Sequence, residues 1–271
     1  MRVMMLGDVV GKAGREAVCD MTPKLRDRHK LDFVVVNGEN AAHGFGINEK
    51  ICHQFYDAGV DCLTTGNHVW DQRDLLTYIE TDPRLLRPGN FPSGTPGRGG
   101  SVYETPSGQR VAVFNVMCRL FMDPLDDPFA WLAEQMEVLT LGDHVDAILV
   151  DVHGEATSEK QSMGNFMDGH VSVFVGTHSH VPTADARILP KGTGYLTDLG
   201  MCGDYDSVIG MRKQPAIDRF VRKVPGDRLS PAEGPATICG IIAEIDDKTG
   251  LARSIEPIRL GAHLHETEPA Y

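Results

Sequence analysis

The sequence predicts an α/β fold with two layers of β-sheet between helices. Up to about residue 180, β-branched and apolar runs alternate with helical stretches, the pattern of a sheet covered by helices. Beyond that point the chain reads mainly as strands, forming a second sheet or additions to the first. The composition is that of a globular chain, 41% hydrophobic and 24% charged over 271 residues. With no internal repeat and no low-complexity segment, one domain over residues 1–271 is the simplest expectation.

The elements follow in order. Residues 2–6, RVMML, predict a buried strand, then the loop GDVVGKAG, then a helix from about Arg15 to Lys30 that Pro23 kinks or divides. DFVVV, residues 32–36, is a second strand ending in NGEN. Asn48 has the chemistry of an N-cap for a helix ending near Gly59. VDCLTT is a strand running into GNH at 66–68, and a helix over about 71–80 follows. Residues 81–100, rich in Pro and Gly, are loop. SVYET and RVAVFNVM (110–117) are hairpin-like strands, DDPFAWLAEQMEVL a helix, DAILVDVH (146–153) a strand and SEKQSMGNFMDG a helix. VSVFV (171–175) is a strand that Gly176 ends. RILP, GYLTD, TICGIIAEID and RSIEPIRL are strands around a short helix, AIDRFVRK.

Bulk properties remove several classes. No apolar run reaches the roughly 18 residues of a membrane span. The start, MRVMMLGDVVG, is interrupted by Asp8 and reads as a strand rather than a signal peptide. Six scattered cysteines without a CxxC pair fit neither a zinc ribbon nor a disulfide framework, and suit a reducing cytoplasm. A net charge of −12 opposes broad binding to nucleic-acid backbone, but leaves room for small phosphorylated substrates where bound cations reverse the local sign.

The chemistry gathers at strand ends. In an extended backbone His178 and His180 point to the same side, and imidazole is the commonest transition-metal ligand. Four other strands also lead into metal-competent residues: Asp8; Glu39 and Asn40; Asn67 and His68; His153. Each has a bland reading as turn, cap or surface residue. Together, beyond the carboxyl ends of the strands of one sheet, they form a ligand set. Carboxylates, amides and imidazoles suit Mn, Fe or Zn, and seven ligands exceed one tetrahedral ion, so two ions sharing a carboxylate are expected.

Five elements in this order, with the wording GDVVGKAGR, NGENAAHGFGI, TTGNHVWD, DVHGE and GTHSHVPTAD, resemble the YmdB-like phosphodiesterases of the calcineurin-like metallophosphoesterase superfamily. The resemblance runs over at least residues 5–185. The superfamily's D-x-H opening is here Asp8-Val9-Val10, and its bridging aspartate is replaced by Glu39, changes that the YmdB-like branch shares. The resemblance implies a four-layer αββα sandwich of two mixed sheets flanked by helices. It also implies two divalent or mixed-valence transition-metal ions, Fe or Mn ahead of Zn. One ion would be held by Asp8, Glu39, His180 and Asn40, the other by Glu39, Asn67, His153 and His178. A hydroxide bridging the ions would attack phosphorus, and His68 would protonate the leaving alkoxide; Asp71 is a candidate to orient His68. The implied substrate is a small phosphodiester, a 2′,3′- or 3′,5′-cyclic nucleotide.

His43, Lys12 and Arg15 are weaker candidates for substrate contact, each with an ordinary loop or helix-start reading beside it. Asp151 and Glu155 flank His153 as candidate supporting groups. Gly7, Gly11 and Gly14 do not have dinucleotide-binding spacing, and the HLHE run near the end reads as a surface tail. The other readings are a phosphomonoesterase, and a regulatory RNA- or protein-binding module with a vestigial metal site. Subunit number, a homo-oligomer included, is left open.

Overall fold

The computed structural model describes residues 1–223 and 226–270. Among them are β1 (Arg2–Leu6), β2 (Asp8–Val9), α1 (Gly11–His29), β3 (Phe33–Asn37), α2 (Glu49–Asp57), β4 (Cys62–Thr64) and α3 (Leu75–Tyr78). Then come β5 (Gly100–Glu104), β6 (Arg110–Met117), α4 (Pro128–Val138), β7 (Ala147–His153), α5 (Thr157–Phe166) and β8 (Val173–Thr177). β9 (Arg187–Ile188), β10 (Gly194–Leu196), β11 (Met201–Asp204), α6 (Lys213–Val221), β12 (Ala236–Ile245) and β13 (Ala252–Gly261) complete the order.

These elements form two mixed sheets. One runs β2-β11-β12-β1-β3-β4 with β13 beside β12, and the other runs β5-β6-β7-β8-β10-β9. β1, β3 and β4 are parallel, as are β6, β7, β8 and β10.

Strand alternation sets three of the four buried apolar clusters among the described residues. Val3 and Met5 of β1 point between the sheets with Val35, Val113, Leu149 and Val175. Their neighbours Met4 and Leu6 point outward, against Val18 and Leu25 of α1, Ile51 and Phe55 of α2 and Leu75 of α3. On the other sheet Phe114, Ile148 and Val150 face outward against Leu132 of α4 and Met163 of α5. A period of two in strands and about 3.6 in helices thus yields helix, sheet, sheet, helix, the expected four-layer sandwich. Each wholly buried Val, Leu or Ile contributes roughly 1.5–3 kcal/mol relative to exposure.

Several elements differ from expectation. The second sheet is built mainly from the middle of the chain; of the strands past residue 180, β9 and β10 join it, while β11, β12 and β13 are additions to the first sheet, one of the two placements expected, with β12 antiparallel to β1. α1 passes through Pro23 unbroken, because Val18, Thr22, Leu25 and His29 bury one side of it and outweigh one missing hydrogen bond. The helix expected over 71–80 shrinks to α3. Asp71 there turns its carboxylate to His68, and Gln72 donates to the Phe45 carbonyl at 2.7 Å, so their side chains serve other contacts. Gly176 lies inside β8 rather than ending it. A Cβ there would stand 1.9 Å from the Thr197 carbonyl oxygen, so this glycine permits close approach of two chain segments. Asn48 caps α2 as expected, accepting from Ile51 N at 3.1 Å.

Candidate metal centre

Asp8 in β2, Glu39 and Asn40 after β3, Asn67 after β4, His153 at the end of β7, and His178 and His180 after β8 meet in one volume. They come from both sheets, not from the single sheet expected. Two groups have ligand-type atoms within 4.8 Å of one another: Glu39, His153 and His178, and Asp8, Glu39 and His180. Glu39 belongs to both. Gly66 allows this closeness, since a Cβ there would lie 2.3 Å from both Glu39 Oε2 and His153 Nε2.

Hydrogen bonds around the cluster fix which way its lone pairs point. Thr177 donates its proton to Asp151 Oδ1 at 2.7 Å, so its oxygen accepts from His153 Nδ1–H at 2.9 Å. That tautomer leaves His153 Nε2 facing Glu39 Oε1 at 3.1 Å, Asn67 Oδ1 at 3.0 Å and His178 Nδ1 at 3.1 Å. N and O ligands about 2.0–2.1 Å from a tetrahedral ion stand about 3.3 Å apart, so this spacing fits a metal cage. His178 Nε2 lies 3.2 Å from Glu155, which orients the ring from outside.

The second group follows the same logic. In the neutral ring, His180 Nδ1 donates to the Ile209 carbonyl at 2.8 Å, which turns the Nε2 lone pair toward Asn40 Oδ1 at 3.2 Å. Asn40 is held in that sense by its own Nδ2, which donates to the Gly44 carbonyl. Two lone pairs therefore confront each other. Close by, buried Asp8 Oδ1 accepts no hydrogen bond among the described residues, 3.9 Å from His180 Nε2 and 3.8 Å from His153 Nδ1. Asp8 Oδ2 is occupied by the His178 backbone N–H at 3.0 Å. An orphaned carboxylate oxygen and opposed acceptors are what a cation would satisfy.

Electrostatics agree. Burial pushes the Asp8 carboxyl up to about 6, against the pull of His180 and His153. Burial also acts on Glu39, but His153 outweighs it by charge and hydrogen bond and brings Glu39 down to about 2. Burial lowers His153, yet Glu39, Asp8 and Asp151 win and raise it to about 9. Burial and the His153 charge bring His178 down to about 3. With protons alone, one positive charge on His153 balances Glu39.

His178 and His180 do reach one volume, but not through the extended backbone expected. Both adopt left-handed conformations, φ 95° and 64°, and turn into different ligand groups. Such backbone costs non-glycine residues on the order of 1–3 kcal/mol each and persists only where surroundings over-determine it.

His68 stands beside the cluster. Its backbone N–H donates to Glu39 Oε2 at 3.2 Å, its Nδ1 lies 2.7 Å from Asp71 Oδ2, and its ring meets Phe45 edge-on at 5.2 Å. The weaker substrate candidates fare differently. Arg15 donates to the Ala41 carbonyl and lines a cavity with Cys19 and Gln54, while Lys12 pairs with Glu16, so both side chains are engaged on the α1 surface. His43, at φ 56°, lines a cavity of about 640 Å³ with Arg212 and Lys213.

Sequence reasoning missed Thr177, Lys160, Asp198 and the Ile209 carbonyl. Asp151, a charge inside an otherwise apolar strand, carried a signal: it takes hydrogen bonds from Thr64, Asn37 and Thr177 beneath the cluster.

A family model described as "YmdB-like protein" matches residues 4–258. The chain belongs to the YmdB-like family. A relative from Bacillus subtilis, named 2′,3′-cyclic-nucleotide 2′-phosphodiesterase, is 46% identical over 258 residues, covering 95% of this chain and 96% of that one. A crystal structure of a hypothetical protein from Thermus thermophilus has a TM-score of 0.89 at 40% identity, with 96% of this chain and 99% of that one covered. A structure titled as a novel phosphatase, from Mycoplasma pneumoniae, also has a TM-score of 0.89, at 33% identity and with 96% and 93% covered. These likenesses over nearly full lengths agree with the two-sheet sandwich.

Proposed function

We propose that this YmdB-like chain is a metal-dependent phosphodiesterase that opens cyclic nucleotides, 2′,3′- and 3′,5′-forms among them. The observation that carries the reading is Glu39, shared between two groups of ligand-type atoms whose lone pairs face one another. In this reading Asp8, Glu39, Asn40 and His180 hold one divalent cation, and Glu39, Asn67, His153 and His178 hold the other. The ions are Fe or Mn, with Zn a third choice, given mixed N and O donors without thiolate. Two such cations supply a water nucleophile near neutral pH and charge to offset that of the phosphoryl oxygens.

The chain's own residues do the rest. Thr177 and Ile209 each take up the Nδ1 side of His153 and His180, so that Nε2 of both rings is aimed inward, where a cation would displace any proton held there. His68 is the general acid: with Nδ1 on Asp71, its Nε2 is free to deliver a proton to the leaving sugar oxygen. The name of the Bacillus relative supports a cyclic-nucleotide substrate. The match from 4 to 258 supports one metallophosphoesterase domain over 1–271. No helix among the described residues is long and apolar enough to cross a membrane, which is compatible with the proposed cytoplasmic location.

The test is turnover of Mn²⁺-loaded protein on 2′,3′- and 3′,5′-cyclic nucleotides beside nucleoside monophosphates. Diester hydrolysis is expected. Turnover of monoesters alone makes the protein a phosphomonoesterase, and no turnover on either, with the metals bound, ends the enzymatic reading.

A further inference from the structure

A buried ion pair lies behind the histidine turn, outside the reacting groups. Lys160 of α5 and Asp198, after β10, are each about 1% exposed and lie 2.8 Å apart. Lysine is rarely buried so completely, and such a pair repays its desolvation only through good geometry and further hydrogen bonds. Here those bonds all go to backbone of the histidine turn or of the segment facing it.

Lys160 Nζ donates to the Thr177 carbonyl at 2.7 Å, immediately before His178. Asp198 Oδ2 accepts from Ser179 N at 3.1 Å, between the two histidines, and Oδ1 accepts from Gly200 N at 2.9 Å. Gly176 makes the reach possible: a Cβ there would lie 3.0 Å from Lys160 Cδ. The pair thus grips the peptides on both sides of His178, in a turn where His178 and His180 each hold positive φ. Something must over-determine that conformation, and the pair is placed to do so.

We infer that Lys160 and Asp198 form a positioning clamp that holds His178 and His180 in their strained backbone, and so sets the affinity of the centre for its cations. Neither residue is itself a ligand; their opposite charges act on His178 and Asp8 through space, and their hydrogen bonds act on the main chain of the turn. The inference rests on the metal reading above and is tested by metal affinity rather than turnover.

The full chain is stripped with a chelator, its fold checked by circular dichroism, and Mn²⁺ binding followed through the electron paramagnetic resonance of free Mn²⁺. Lys160→Met is expected to bind Mn²⁺ at least about tenfold more weakly, the loss usual for groups that orient ligands. The double variant Lys160→Met/Asp198→Asn leaves no unpaired buried charge. It is expected to recover resistance to denaturant over Lys160→Met while keeping the weakened Mn²⁺ binding, because the Thr177 carbonyl still lacks its donor. A merely structural pair recovers both stability and Mn²⁺ affinity in the double variant. Folded double variant with Mn²⁺ affinity within twofold of the parent overturns the clamp; a parent that takes up no Mn²⁺ overturns the metal reading and the clamp with it.

Discussion

His68 Nδ1 and Asp71 Oδ2 lie 2.7 Å apart across one turn, His68 half-buried beside Glu39 and Asp71 at the solvent edge. The contact fixes the ring through Nδ1 and leaves Nε2 unengaged among the described residues, the arrangement that a proton donor to a leaving group needs. His68→Ala is expected to lower kcat by about 10²–10⁴ on a cyclic nucleotide. The loss shrinks on bis-p-nitrophenyl phosphate, whose leaving group needs no proton. Asp71→Asn should act in the same direction and less. Equal losses on both substrates would remove His68 from the acid role.

Metal uptake should depend on pH. His153 is raised to about 9 by Glu39 and its neighbours, against burial, so in metal-free protein it carries a proton at pH 7 that a cation must displace. Affinity for Mn²⁺ therefore rises with pH, up to about tenfold per unit, and levels off near pH 9. Calorimetry in buffers of different ionisation enthalpy should count the proton released. Uptake without proton release contradicts this picture.

Gly66→Ala probes crowding without altering any ligand. Its methyl would stand 2.3 Å from Glu39 Oε2 and His153 Nε2, neither of which is a free flexible end. The expected result is a folded protein whose Mn²⁺ binding and turnover fall at least about tenfold. Parent-like Mn²⁺ binding would mean that the loop yields easily.

Asp185 offers a test of stability away from the centre. Burial tends to raise its pKa, but hydrogen bonds from Thr197, Thr183 and Arg187 prevail and lower it. A lowered native pKa gives stability that is present above the unfolded value and lost as pH falls through the native one. Asp185→Asn should therefore cost on the order of 1 kcal/mol at pH 7, discounted for exposure. The difference from the parent should vanish well below pH 4. A pH-independent difference in urea midpoint would rule out this cause.

What the sequence could reveal follows from the range of each interaction. Asn48 capping α2 is local, and so is the apolar run 2–6 that marks a strand buried on both faces; both were legible. Asp8, Glu39, Asn67, His153 and His178 could be picked out because each lies at or just past the end of an apolar run and its chemistry is unusual there. The sheet assignment was not legible, because β12 pairs with β1 across more than 230 residues and nothing local marks it. Gly176 looked like a stop because a sequence does not show the Thr197 carbonyl that would meet its side chain. Lys160 was invisible for the same reason: in a helix of mixed polarity it resembles a surface lysine, and only the fold buries it.

The most direct measurement is the metal content of the parent and of Glu39→Gln, after reloading with Mn²⁺, alongside hydrolysis of a cyclic nucleotide. Two ions per chain in the parent are expected, with loss of both tight binding and turnover in the folded variant. A folded Glu39→Gln protein that keeps two tightly held ions, or full turnover, would contradict the shared-carboxylate centre.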